Sequence, residues 1–132
     1  MTKKIKSIGI LKESRPDESR APIAPSHVSL IIKKYPDINI IVQPCDNRTF
    51  KNNEYSEFGA KISEDLNSCD LLFGVKEVDV DKLIPNKDYI FFSHTYKLNK
   101  DTLSNAQGTP GMDKKELLKS ILSKKIKLID YE

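Results

Sequence analysis

The amino-acid sequence predicts an α/β fold with a mostly parallel sheet flanked by helices, on three observations. Short apolar runs recur along the chain at residues 5–11, 38–42, 71–75, 89–92 and 126–129. Segments with helical periodicity or helix-start signals lie among them, so strands and helices alternate, as α/β layers do. The runs at 71–75 and 89–92 are continuous rather than alternating, as expected of parallel strands covered on both faces. At 132 residues the chain suits one domain. It is long enough to bury a core without disulfide or metal staples.

Taken in order, residues 5–11 form the first expected strand, with Ser7 and Gly9 interleaved among apolar positions. A polar stretch holding Pro16, Pro22 and Pro25 follows. Val28, Ile31, Ile32 and Tyr35 then repeat at the spacing of one helix face. Pro25 suits the first helical turn, where a missing N–H costs nothing, and Pro36 closes the helix. Residues 38–42 are β-branched and predict a strand. Residues 52–58 predict a short helix capped by Asn52 or Asn53 and ended by Gly59. Residues 63–67 predict one further helical turn. Two strands follow at 71–75 and 89–92, where brevity rather than periodicity argues against helix. Residues 104–112 hold Gly108, Pro110 and Gly111 and predict a loop. Asp113 with Glu116 gives a capping-box-like start to a helix whose apolar face is Leu117, Leu118, Ile121 and Leu122. Residues 126–129 supply the last strand.

Several function classes are disfavoured. No apolar run approaches the roughly 20 residues of a membrane span. The basic start is followed by an apolar stretch too short for a signal peptide, which makes the cytoplasm the expected address. The net charge of +3 is interspersed rather than gathered into a stripe, whereas nucleic-acid binding wants clustered cations with stacking aromatics. The basic residues between Lys114 and Lys127 are read as the wet face of a helix. Cys45 and Cys69 have no metal-ligand spacing and are read as reduced thiols. No metal site is expected.

In parallel sheets, ligands bind outside the C-terminal ends of strands, where the chain order reverses. Four places put ionisable side chains there or in the proline-bounded loop. The first is Lys12-Glu13, followed by Arg20 in Asp17-Glu-Ser-Arg-Ala-Pro-Ile-Ala-Pro25. A guanidinium ahead of a helix start can grip a carboxylate in a bidentate fork, or it can pair with Glu13 or Glu18 at the surface. The second is Lys76-Glu77, ending the run from Leu71. A lysine there can lose solvation and carry a proton, with Glu77 opposing that effect, or it can snorkel into water. The third is His94, after a strongly apolar run, whose imidazole suits acid–base work or a structural hydrogen bond. The fourth is Asp130-Tyr131-Glu132, whose acids form a site or only a polar strand end. Lys76 and His94 end successive strands and are expected at one edge, where with Arg20 they would make a pocket for a carboxylate-bearing substrate.

These residues resemble a known family. The stretch Gly9-Ile-Leu-Lys-Glu13 with Glu18-Ser-Arg-Ala-Pro-Ile-Ala-Pro25 is similar to the opening of alanine dehydrogenase, proton-translocating transhydrogenase and lysine-forming saccharopine dehydrogenase. The similarity continues through Phe50-Lys-Asn-Asn-Glu-Tyr-Ser-Glu-Phe-Gly-Ala60 and Gly74-Val-Lys-Glu77. It closes with Phe92-Ser-His-Thr-Tyr-Lys97 and Leu128-Ile-Asp-Tyr-Glu132. Each block alone is weak, but they fall in family order over almost the whole chain. His94-Thr-Tyr-Lys97 points to the saccharopine dehydrogenase-like branch.

The resemblance implies a flavodoxin/Rossmann-like N-terminal domain spanning residues 1–132, the substrate side of an oxidoreductase of lysine or alanine metabolism. It implies reversible oxidative deamination of a small amino acid, with a 2-oxo acid on the other side of the reaction. Arg20 matches the arginine on the substrate carboxylate, and Lys97 a substrate-side position of the saccharopine branch. Lys76 and His94 match the catalytic pair that handles protons. Glu77 and Glu132 match acidic positions that tune those bases.

There are two departures from the family pattern. Residues 104–113 make a longer connection than is usual, with the composition of a tolerated surface insertion. The chain also has five glycines and no GxGxxG, the turn that holds a dinucleotide at a βαβ unit. The family's NAD or NADP is therefore expected on a nucleotide-binding domain absent from this chain, supplied in cis or in trans. No cofactor-binding residue is expected here, and the isolated chain is expected to be inactive. The alternative is a stand-alone module that binds a small carboxylate without redox chemistry.

Overall fold

The computed structural model describes residues 5–14, 17–76, 78–91 and 114–130. Their elements run β1 (Ser7–Ile10), α1 (Pro25–Lys34), β2 (Asn39–Val42), α2 (Asn52–Glu57), β3 (Lys61–Ile62), β4 (Leu71–Phe73), β5 (Asp88–Phe91), α3 (Lys114–Ser123) and β6 (Lys127–Asp130). A single 3-10 turn, Val80–Lys82, lies between β4 and β5. The strands form one six-stranded sheet in the order β3-β2-β1-β4-β5-β6, and every neighbouring pair is parallel. The order runs outward in both directions from the β1–β4 pair. That pair is the topological switch point, and the crevice beyond its C-terminal ends is where such sheets take ligands.

Two apolar layers sandwich the sheet. Ile10, Val28, Ile40, Val42 and Tyr55 pack together on the side of α1 and α2. Leu66, Leu72, Tyr89, Phe91, Leu117 and Ile121 pack on the side of α3. Successive residues divide between the layers, Leu72 joining the second and Phe73 the first. This two-sided burial is the physical reason the strands read as continuous apolar runs. Gly9 is the exception that fits the pattern. A Cβ there would stand 2.7 Å from Leu72 Cδ2 and 3.0 Å from Cys69 Sγ, so the α3-side layer closes directly onto the β1 backbone.

Most expected elements are present, with Pro25 opening α1 as its periodicity requires. Two local expectations need correction. The N-cap of α2 is Lys51, not Asn52 or Asn53. The Lys51 N–H donates to Glu54 Oε2 at 2.6 Å, while the Asn52 side chain is drawn away to accept the Cys45 N–H at 3.0 Å. Residues 63–67 form no helical turn. There the Asp65 N–H donates to Ser63 Oγ and the Asn67 N–H to Asp65 Oδ1, local bonds that compete with helix. The brief β3, at the sheet edge, and the 3-10 turn have no counterpart in the sequence reading. Cys45 and Cys69 are buried free thiols. The expected loop at 104–112 lies outside the described residues.

Candidate functional site

The ladder between β1 and β4 continues one step past the strands, with the Leu11 N–H donating to the Phe73 carbonyl at 2.9 Å. The next rung is made by a side chain. Glu13 Oε2 accepts the Val75 N–H at 3.0 Å and Oε1 accepts the Lys76 N–H at 2.8 Å. Burial pushes the Glu13 carboxyl above the ordinary carboxylate range, against the pull of those two N–H groups; the Glu18 charge pushes the same way and Arg48 opposes it.

Arg20 lies in the loop between β1 and α1. That loop is pinned to the turn after β2, because the Thr49 N–H donates to the Ser19 carbonyl at 2.8 Å and the Asn47 amide to the Glu18 carbonyl at 3.3 Å. The Arg20 guanidinium grips Glu18 as a fork, Nε to Oε2 and Nη2 to Oε1, both at 2.8 Å. Of the two readings open for Arg20 in the sequence, a grip on a substrate carboxylate or an ion pair with Glu13 or Glu18, the structure shows the ion pair, with Glu18. The Glu18 side chain is only 8% exposed, while that of Arg20 is 65% exposed. The fork holds the Glu18 carboxyl down at about 2, with smaller help from the Lys76 charge. Among the described residues two of the five guanidinium N–H groups are used, which leaves the outer edge of Arg20 able to meet a second carboxylate.

Lys76 is half-buried immediately after β4. Its backbone N–H is held by Glu13, so the loop after β1 and the end of β4 meet at one edge. Arg20 and Lys76 thus follow β1 and β4 at the same end of the sheet, while the edge expected to be shared by Lys76 and His94 reaches beyond the described residues. His94, Glu77, Lys97 and Glu132 lie outside the described residues. β5, which precedes His94, does run parallel to β4 and beside it.

Sequence reasoning passed over two contributors. Glu13 was named at the first candidate place and as a possible Arg20 partner but given no role of its own, and its bonds to Val75 and Lys76 depend on strand order. Arg48 is 4% exposed. Its Nη2 donates to the Gln43 carbonyl at 2.7 Å and its guanidinium lies 5.3 Å above the Tyr55 ring. Nη1 has no hydrogen-bond partner among the described residues. An arginine inside a polar loop gave no signal that it would be buried.

The switch point does not fit a dinucleotide. The β1–α1 connection contains no glycine, and the carboxylate of Glu13 stands where a pyrophosphate would need positive N–H dipoles. Among the described residues, no group of three or more His, Cys, Asp or Glu is arranged to hold a metal ion, and no helix is long and apolar enough to cross a membrane. A cavity of about 620 Å³ lies at the opposite edge, lined by Lys6, Asn39, Lys61 and Asp70. Volume alone is a weaker guide than the convergence of charged groups at the C-terminal edge. A smaller cavity of about 280 Å³, lined in part by Leu11, Lys12, Ser14 and Gln43, does open beside that edge.

Comparison with known proteins agrees with this architecture. L-alanine dehydrogenase superposes with a TM-score of 0.72 at 18% identity, over 96% of this chain and 32% of that one. The transhydrogenase from Sinorhizobium meliloti superposes with a TM-score of 0.68 at 16% identity, over 94% of this chain and 34% of that one. These likenesses establish the fold, a Rossmann-like sheet. In sequence, the chain is 34% identical over 130 residues to the alpha-aminoadipic semialdehyde synthase of Arabidopsis thaliana. That match covers 95% of this chain and 11% of the relative, so the chain spans about a tenth of that protein's length. Residues 9–132 match the family described as alanine dehydrogenase/PNT, N-terminal domain, and the chain belongs to that family.

Proposed function

We propose that this chain is the substrate-binding half of a nicotinamide-dependent amino-acid dehydrogenase of the saccharopine type, catalysing reversible oxidative deamination at the C-terminal edge of β1 and β4. The observation that supports the reading is the Arg20 fork on Glu18 in the loop after β1, the same loop from which Glu13 holds the Lys76 N–H at the end of β4. A site that already holds one carboxylate on a guanidinium fork has the chemistry to hold a substrate's.

In this reading Arg20 orients the acid through its carboxylate, which converts a random encounter into an aligned one. Lys97 contributes a second substrate contact. Interconversion of an amine and a carbonyl through C=N chemistry requires protons at nitrogen and oxygen, supplied and removed by Lys76 and His94. Glu77 and Glu132 tune those two bases. Hydride transfer belongs to NAD or NADP, held by a nucleotide-binding domain in cis or in trans, because the residues at this sheet's switch point do not fit it.

Calorimetry of the purified chain with 2-oxoglutarate and pyruvate tests the reading. It predicts binding of at least one oxo acid, weakened about tenfold or more by Arg20→Ala, as loss of a charge-assisted fork implies. Binding unchanged by Arg20→Ala would show that the carboxylate site is elsewhere. The isolated chain is also expected to show no NAD(H)-dependent turnover of saccharopine, of lysine with 2-oxoglutarate, or of alanine. Measurable turnover would contradict the half-site assignment.

A further inference from the structure

Arg20 and Lys76 have roles in the proposed site, but Glu13 does not, although it sits at the switch point itself. Its two oxygens are divided between consecutive amides, Oε2 taking Val75 and Oε1 taking Lys76. It therefore completes the β1–β4 ladder where the backbone carbonyls have run out. A neutral side chain cannot do this equally well. A carboxylate accepts at both oxygens, whereas the amide of glutamine would turn a donor toward one of the two N–H groups.

A second observation shows that the seat is shaped for the carboxylate. Position 74, between the end of β4 and the two bonded amides, is glycine, and a Cβ there would stand 3.3 Å from Glu13 Oε2 and 3.3 Å from Leu11 Cδ1. The side chain is missing where the carboxylate passes. The seat is also costly to keep charged. The Glu18 charge opposes ionisation of Glu13, the buried Arg48 favours it, and burial itself works against it. A bond needed only to join two strand ends would not require a half-buried anion.

Building on the reading of Lys76 as a substrate-site group, we propose that Glu13 is a positioning residue for Lys76. Its carboxylate bridges the ends of β1 and β4 and fixes the backbone from which the Lys76 side chain reaches the substrate. Glu13 acts through Lys76 and not on the substrate itself.

The test has two arms, both on the full chain, with urea midpoints recorded for every variant so that loss of the fold is recognised. The first follows the amide signals of Val75 and Lys76 by two-dimensional NMR from about pH 3 to pH 8, spanning the carboxylate range. The expected result is that both signals move together with a midpoint above that of an ordinary glutamate, and that Glu13→Gln abolishes the movement. Signals that do not titrate, or that titrate equally in Glu13→Gln, overturn the proposal.

The second arm measures 2-oxoglutarate affinity in a double-mutant cycle. Lys76→Ala keeps the backbone N–H that Glu13 receives, so it removes the presented group and leaves the tie intact. Glu13→Gln should weaken binding about tenfold in the wild-type background, the scale of one buried charged hydrogen bond. It should do almost nothing in the Lys76→Ala background. Equal losses in both backgrounds would mean that Glu13 acts independently of Lys76, and would overturn the proposal. Gly74→Ala, which crowds the carboxylate without removing it, should disturb the same two amides and weaken binding in the same direction. If wild-type chain binds no 2-oxoglutarate or pyruvate while the amides still follow Glu13, the substrate-site reading fails and the tie between the strands stands. That outcome is separable from failure of the tie.

Discussion

Glu18 and Glu13 titrate in opposite directions, and the difference follows from their partners. Glu18 is held down to about 2 by the Arg20 fork, so between that value and the ordinary carboxylate range the unfolded chain binds more protons. Its contribution to stability is present above the ordinary range and is lost as pH falls through about 2. Glu13 is pushed up by burial, so the folded chain binds more protons, and stability from this group falls as pH rises through its window. Urea denaturation between about pH 2 and pH 5 should show an acid limb that Glu18→Gln flattens, by no more than an exposed ion pair contributes. An unchanged limb would mean that the fork contributes nothing in solution. The sequence contained both possible uses of Arg20. It could not choose between them, because the choice depends on how the loop at 17–20 is tied to the turn after β2.

At the scale of single elements, α1 was legible because Pro25 and the spacing of Val28, Ile31 and Ile32 state the same answer. The start of α2 was less so. Asn52 has the right chemistry for a cap, but tertiary structure uses it on the Cys45 N–H. Residues 63–67 failed for a similar reason, since short polar side chains there bond their own backbone. β3, two residues long, carries too little pattern to be seen. The tie from α2 to the loop before α1 is the Tyr55 hydroxyl, donating to the Ile23 carbonyl at 2.6 Å inside the core. Tyr55→Phe should cost about 0.5–1.5 kcal/mol in chemical denaturation, the net value of one hydrogen bond. On the opposite face, Gly9→Ala would force a methyl against Leu72 and Cys69. It should cost about 1–3 kcal/mol as overpacking, read by the same denaturation. No loss would show that the α3-side layer yields more easily than its burial implies.

For the whole molecule, alternation of strands and helices was enough to give the parallel sheet, and the sheet rule was enough to choose which edge to search. Strand order was not legible, because parallel pairing depends on which neighbours meet across the sheet and no local pattern encodes that. Once β1 and β4 are adjacent, the loop holding Arg20 and the lysine after β4 share an edge, and Glu13 falls between the strand ends. A larger cavity lies at the other edge, beside Lys6, Asn39, Lys61 and Asp70, than the one beside Leu11 and Lys12, so the two ends of one sheet make competing claims on a ligand. Titration of the labelled chain with 2-oxoglutarate, followed by amide NMR, decides between them. The account predicts shifts concentrated at residues 11–14, 17–20 and 74–76, absent in Arg20→Ala. Shifts confined to residues around Lys6, Asn39, Lys61 and Asp70, and indifferent to Arg20→Ala, would contradict it.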